Sequence, residues 1–281
     1  MRQLLPRPRG NSFARSNKAL PRDAREHARR GPETAARVEL YGVHPTLEAL
    51  RARRRTLLRL RVRRGLRRSE LGQIRAAARA AGVPIEEVGA EVLAAGAPPG
   101  VASQGVALLA GPLPEVPLGE LAGAGDAPRT LVALDGVQDP HNVGAIARVA
   151  EACGASGLLL TRRRAPPLGA VVSRASAGAI EWLPAARVPN LGRALNTLKE
   201  KGFWVFGCDP EGAEELFALP ARVVAGDQVV VLGAEGRGLR AGILRVIDHR
   251  IRIPMVGRVG SLNVASAAAV VLFELRRRRF P

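Results

Sequence analysis

Three stretches far apart in the chain carry polar groups and glycines where the backbone must turn. Asp139-Pro140-His141-Asn142-Val143-Gly144 leads on to Arg148, Gly233-Ala234-Glu235-Gly236-Arg237-Gly238 follows an apolar run, and Ile253-Pro254-Met255-Val256-Gly257 runs to Ser261-Leu262-Asn263. Glycine-rich turns from strand to helix expose backbone N–H groups that can bind a ligand. Asn142 can cap a helix, and Gly144 permits another backbone to come close. Arg148 sits among Ile146, Ala147, Val149 and Ala150. A guanidinium there needs an anionic or carbonyl partner, because burying it unpaired is costly. It is either a phosphate or substrate clamp using Arg's forked donors or a structural salt bridge on an amphipathic helix, and spacing alone favours the salt bridge. Glu235 can orient a polar neighbour, meet a cationic ligand, or simply face solvent in a tight turn. Its glycines are spaced GxxGxG rather than GxGxxG and come late in their domain, which argues against a dinucleotide fingerprint and an oxidoreductase. Ser261 can cap the last helix, and Asn263 falls among that helix's apolar first turns.

The elements that must position these residues alternate in type. Apolar runs at 130–134, 157–160, 203–207, 228–232 and 250–253 read as strands covered on both faces. Helical patterns occupy 142–153, 168–176, 190–201, 239–246 and 262–278. Together they predict an α/β domain over 129–281 with a mainly parallel sheet. A smaller α/β domain is expected over 38–112, with strands near 38–43, 57–62, 84–88 and 105–109 and helices at 44–51 and 69–81, the second capped by Ser69. Residues 113–128 read as a linker, because prolines and glycines break regular structure there. Residues 1–37 form a basic tail with no sustained apolar period, expected to be disordered and read equally as an RNA-binding arm or as a solvated segment without a role.

Composition narrows the partners. The chain has 281 residues, enough for two domains, and is 47% hydrophobic. Its formal net charge of +18 and pI of about 11.6 imply a polyanionic partner. All but three of the 43 basic residues are arginine, while only 3% of residues are aromatic, so base-stacking platforms are not expected. Ten arginines and no acid fall within 51–68. Without counter-charges they would repel one another, so a phosphate-binding surface is expected there. Arg276 to Arg279 would suit a helix C-terminus and an RNA backbone. Cys153 and Cys208 are isolated and the four histidines scattered, so neither a disulfide nor a metal site is expected. No apolar run suggests a signal peptide or a bilayer span, which makes the cytoplasm the expected location.

Taken in order, 142–148, 233–238 and 253–263 resemble the three motifs of the SpoU (TrmH-like) branch of the SPOUT RNA methyltransferases. Arg174-Ala175-Ser176-Ala177-Gly178-Ala179 also resembles that family, and the similarity spans about 130–278. Tyr41-Gly42-Val43-His44-Pro45 resembles the small N-terminal domain of the RlmB subgroup, which modifies large-subunit rRNA. Ala165 and Ala265 depart from the family's pattern and put only local contacts in question. The resemblance implies a C-terminal trefoil-knotted domain, a homodimer through that domain, and S-adenosylmethionine held at Gly233, Gly236, Ile253, Met255 and Leu262. It implies methyl transfer to a ribose 2′-hydroxyl, here of a guanosine in 23S rRNA. A tRNA substrate and a non-catalytic rRNA-binding assembly factor are the alternatives. Arg148 is then the catalytic candidate. A guanidinium, with a pKa above ~12, makes a poor base, so clamping a phosphate and stabilising the forming alkoxide suit it better. Asn142, Glu235, Ser261 and Asn263 would orient Arg148, the nucleotide and the loops.

Overall fold

The computed structural model describes residues 37–66, 69–98, 101–123 and 128–279. The expectations for the basic tail up to Ala36, for Arg67 and Arg68, and for the capping side chain of Ser69 lie outside the described residues.

The first part of the chain runs β1 (Val38–Tyr41), α1 (Val43–Ala52), β2 (Leu57–Arg63), α2 (Ser69–Ala80), β3 (Ile85–Val88), α3 (Ala90–Gly96) and β4 (Val106–Ala110). Its sheet has the order β1-β4-β2-β3, with β4 antiparallel to both neighbours and β3 parallel to β2. Leu40, Leu60, Val62 and Leu108 from the strands meet Leu47, Leu50, Leu71 and Ile74 from the helices in one core.

The supposed linker contains a helix, α4 (Leu118–Gly123). Leu121 is fully buried, and Val116 N–H donates to Ala185 O at 2.9 Å. Its prolines lie outside the helix, Gly119 falls in its first turn and Gly123 ends it, and burial of Leu121 supplies the stabilisation that propensity lacks.

The rest runs β5 (Thr130–Asp135), α5 (Pro140–Ala152), β6 (Gly157–Thr161), α6 (Ala170–Ala175), β7 (Ala185–Val188), α7 (Leu191–Glu200), β8 (Trp204–Cys208), β9 (Glu214–Glu215), α8 (Ala221–Val224), β10 (Gln228–Gly233), α9 (Ala241–Leu244), β11 (His249–Arg252) and α10 (Val264–Arg279). The seven strands lie in the order β7-β6-β5-β10-β8-β11-β9, and every pairing is parallel. Alternate residues of each strand enter opposite cores. Val132, Leu134, Val230 and Leu232 pack with α5 and α10, whereas Leu131, Ala133, Val229 and Val231 pack with α4, α7 and α9. That alternation explains the continuous apolar runs, since both faces of the sheet are covered.

Gly144 lets α5 approach α6: a Cβ there would lie 2.4 Å from Ala175 Cβ and 2.9 Å from Val172 O. On α10, Val264, Ala268, Val271, Leu272 and Leu275 form the buried stripe that docks on α5 and the sheet. Its terminal arginines also make contacts within the fold. Arg276 donates to Cys153 O at 3.2 Å, Arg277 pairs with Glu274 at 2.8 Å, and Arg278 reaches Leu216 O at 3.4 Å. Arg279 donates to Val224 O at 2.8 Å and Thr130 Oγ1 at 2.7 Å, and burial pulls its pKa down to about 10 against the opposing charge of Asp227.

The two sheets are joined by a buried ion pair. Arg55, between α1 and β2, donates through Nε to Glu181 Oε2 at 2.7 Å and through a terminal nitrogen to Oε1 at 3.0 Å. Ser173 Oγ donates to the same carboxylate at 2.8 Å, and Arg55 also reaches Gly111 O and Leu168 O. Beside it Arg54 donates to Leu183 O at 2.9 Å, and Trp182 Nε1 donates to Glu48 at 2.8 Å. Arg51, Arg59 and Arg61 find Glu48, Glu86 and Glu39 at 2.9 to 3.2 Å. Counter-charges absent from 51–68 thus reach Arg55, Arg59 and Arg61 from other elements, and Arg51 from Glu48 on its own helix. Arg63 and Arg64 remain exposed, without a side-chain partner among the described residues.

Candidate functional site

β5 and β10 lie side by side although 92 residues separate the end of β5 at Asp135 from the start of β10 at Gln228. The chain leaves β5 for β6 on one side, while β8 and β11 lie on the other. This is the switch in strand order at which open parallel sheets bind ligands, outside the carboxyl ends of the strands. The three turns singled out above converge there.

The turn after β10 is tight. Gly238 N–H donates to Ala234 O at 2.8 Å, and a Cβ on Gly233 would lie 2.4 Å from Gly238 C, so only glycine fits. Asp135, buried at the end of β5, fastens the far side of this turn by accepting from Arg240 N–H at 2.9 Å and Arg240 Nε at 2.7 Å. The end of β8, the turn after β10 and the β11–α10 segment enclose a pocket on the side of β10 away from β5. The result is a cavity of about 670 Å³ whose lining includes Gly233, Gly236, Ile253, Met255 and Leu262, together with Glu235, Ser261 and Asn263. Leu232, Leu239, Leu244 and Val264 give it aliphatic walls; Asp209 and Glu211 also line it, both paired with Arg250, and Glu235 and Arg237 complete its charged groups. Cys208 also lines it. Burial, with help from Asp209, pushes its thiol up to about 12, so at neutral pH it is a protonated wall and not a nucleophile.

At the lip Asn142, Glu235 and Asn263 bond one another. Asn142 Nδ2 donates to Glu235 Oε1 at 3.1 Å, Asn263 Nδ2 donates to the same oxygen at 2.5 Å, and Asn263 Nδ2 lies 3.0 Å from Asn142 Oδ1. One residue from each turn thus forms one network. Glu235 Oε2 has no partner among the described residues.

Three expectations change. Asn142 is not the cap of α5: Asp139 is, accepting from His141 N–H at 3.0 Å and Asn142 N–H at 3.4 Å, which frees the Asn142 side chain for the network. Ser261 is not the cap of α10, which begins at Val264; Asn263 Oδ1 accepts from Ala265 N–H at 2.9 Å instead, and Ser261 is an exposed residue of the cavity wall. Arg148 does not enter this cleft. It stands on the exposed side of α5, outside the cavity lining, and has no partner among the described residues. Six residues along a helix from Asn142 place it about 9 Å farther on and roughly a third of a turn around. Sequence reasoning missed Asp135 and Arg240, although a lone acid ending the apolar run Leu131–Leu134 was a signal for the first.

No helix among the described residues is long and apolar enough to cross a membrane, and no group of three His, Cys, Asp or Glu there could hold a metal ion.

Residues 129–273 match the model of the SpoU rRNA Methylase family, and residues 40–116 match that of an RNA 2′-O ribose methyltransferase substrate-binding domain. A tRNA/rRNA methyltransferase of uncharacterized role from Synechocystis is 41% identical over 179 residues, which cover 63% of this chain and 46% of that protein. The chain spans about half the length of the curated relatives it matches, 46% and 59% for the first two. Among solved structures, the AdoMet-bound rRNA methyltransferase from Sinorhizobium meliloti has a TM-score of 0.70 at 25% identity, covering 93% of this chain and 92% of that one. The SpoU methyltransferase AviRb from Streptomyces viridochromogenes, solved with AdoMet, has a TM-score of 0.74 over 92% of this chain and 94% of that one; at 24% identity it supports the fold alone.

Proposed function

Since the chain belongs to the SpoU rRNA methylase family, we propose that it transfers a methyl group from S-adenosylmethionine to a ribose 2′-hydroxyl of RNA, and that its target is a guanosine of 23S rRNA, as in the RlmB subgroup. The convergence of three distant turns on one cleft, with Asn142, Glu235 and Asn263 bonded at its lip, carries this reading.

The residues present fit the cofactor. A cavity of about 670 Å³ lies within the ordinary size range of cofactor sites, about 300–1,000 Å³. Its aliphatic walls suit an adenine ring, backbone groups at Gly233, Ile253 and Leu262 can read the ring's edge, and Glu235, which has no ion-pair partner among the described residues, offers a carboxylate to the ligand's positive charge. When bound, the cofactor supplies an electrophilic methyl. The protein's task is to hold the weakly acidic hydroxyl in line and ease removal of its proton. Glu235 is held by two amides through Oε1, which leaves Oε2 to accept a hydrogen bond from the ribose hydroxyl. Asn142 and Asn263 fix that carboxylate without protonating it.

Arg148 joins the reaction through a homodimer in which the guanidinium of one protomer reaches the cleft of the other. There it clamps a phosphate and stabilises the developing alkoxide. Val256, Val259, Leu262 and Phe273 stay exposed at the β11–α10 segment and on α10, supplying apolar surface for such a contact. Co-expression of Arg148→Ala with Glu235→Gln tests this: mixed dimers regain one intact site and recover activity that neither variant has alone. No recovery would place Arg148 outside a shared site.

The target is tested by incubating the full chain with methyl-labelled S-adenosylmethionine and either 23S rRNA or bulk tRNA, then digesting with alkali. Label in alkali-resistant dinucleotides from 23S rRNA supports the proposal. Label in tRNA alone would move the substrate, and label on bases alone would refute ribose transfer.

A further inference from the structure

Beside the cleft lies an arginine-walled trench that the cofactor reading does not use. A cavity of about 470 Å³ opens from Asn142 and Glu235, and one of about 510 Å³ continues along the carboxyl ends of β6 and β7. The two share Arg164 and Arg240; Arg163 lines the second, and Arg237 lines the first where it borders the cofactor cavity.

Charge accounting separates this surface from the basic stretch at 51–68. Of the acids lining the first cavity, Asp135 pairs with Arg240, while Asp139 caps α5 and Glu235 holds the two asparagines, and neither of these two forms an ion pair with the arginines of the wall among the described residues. Arg163, Arg164 and Arg237 are exposed and have no side-chain partner among the described residues. Like charges left unpaired on one wall repel each other unless an anion enters. The wall is also built in place. Arg164 adopts a left-handed backbone with φ of 64°, unusual outside glycine, and such conformations persist where the surroundings enforce them. Thr161 Oγ1 donates to Arg163 O, and Arg187, paired with Glu115 at 2.7 Å, donates to Thr161 O at 3.4 Å and to Pro166 O.

We infer that this trench is an RNA phosphate track: Arg163, Arg164 and Arg237 hold phosphodiesters of the strand flanking the target ribose and lead it over the carboxyl ends of β6 and β7. Arg240, committed to Asp135, forms its floor. The inference rests on the proposed methyl transfer for its direction, since the track starts at the Asn142–Glu235–Asn263 lip.

The experiment measures binding of a fluorescein-labelled single-stranded RNA 12-mer by anisotropy across a salt series, with S-adenosylmethionine titrated calorimetrically into the same preparations. Arg163→Ala/Arg164→Ala should weaken RNA binding roughly ten-fold and reduce the log–log salt slope by about 1.4, at ~0.7 per phosphate on a single strand. Its cofactor affinity should match the wild type, showing an intact fold. Arg222→Ala, an exposed arginine outside both cavities, is the control and should change the slope little. Equal RNA affinity and slope in the double variant and the wild type would overturn the track, as would an equal loss in the Arg222 control or no RNA binding by the wild type. If the wild type bound no cofactor while the slope still fell in the double variant, the methyl-transfer reading would fail and the track would stand.

Discussion

Glu235 illustrates why residue types alone left the site open. A glutamate in a glycine-rich turn has many fates, and its meaning comes from Asn142 and Asn263, which reach it from 93 and 28 residues away. The three residue types were legible in the sequence; their mutual bonds were not, because nothing local encodes which turns meet. Asn263 has two jobs that can be separated. Asn263→Asp keeps a favoured helix cap but replaces the amide donor with a carboxylate facing Glu235. Methyl transfer should fall on the order of ten-fold or more while the thermal midpoint changes little. Initial rates and a melting curve on one preparation check this, and an unchanged rate would remove Asn263 from the active arrangement. The ion pairs of Arg55, Arg59 and Arg61 were illegible for the same reason, since Glu181, Glu86 and Glu39 lie on other elements, whereas Glu48 sits one turn before Arg51 on its own helix.

The elements with the clearest pattern were the most legible. Strands β5, β6, β8 and β10 were visible as apolar runs because both faces are buried, and α10 as a long apolar helix. The four-residue β7, the two-residue β9 and α4 were not, since each is too short to show a period and holds its shape by tertiary contact. The end of α10 shows how a charged run can be structural. Arg279 knots that end to β5 through Thr130, and beside it Arg129 binds Asp227. Burial would raise the Asp227 pKa, but hydrogen bonds and charge from Arg129, with Arg279, hold it below the usual carboxylate range. A carboxylate depressed in the folded state stabilises above its unfolded pKa of about 3.9 and loses that contribution as pH falls through the lower folded value. Stability should therefore drop below about pH 4, and Asp227→Asn should flatten that drop in urea titrations across pH. An identical pH profile in the variant would remove Asp227 from the acid sensitivity.

At the scale of the molecule, the small sheet and the large one are held as one body by the buried Arg55–Glu181 pair. Arg55→Ala strands a carboxylate that Ser173 alone cannot satisfy, and should cost about 3–5 kcal/mol; the paired change Arg55→Met/Glu181→Leu should recover much of it. Urea unfolding reads both, and a cost below about 1 kcal/mol for the single variant would mean that the pair does not hold the sheets together. Nothing in the local pattern around Arg55 foretold this, because its partner lies 126 residues away. The central claim is that the turns after β8, β10 and β11 make a single S-adenosylmethionine site, with the turn after β5 joined at its lip through Asn142. Calorimetric titration of the cofactor into the wild type and into Gly233→Val tests it most directly, with circular dichroism confirming that the variant is folded. The account predicts one site per chain in the wild type and at least a roughly ten-fold loss in the variant, whose side chain must push Gly238 aside. No binding by the wild type at millimolar cofactor, or equal binding by both proteins, would contradict it.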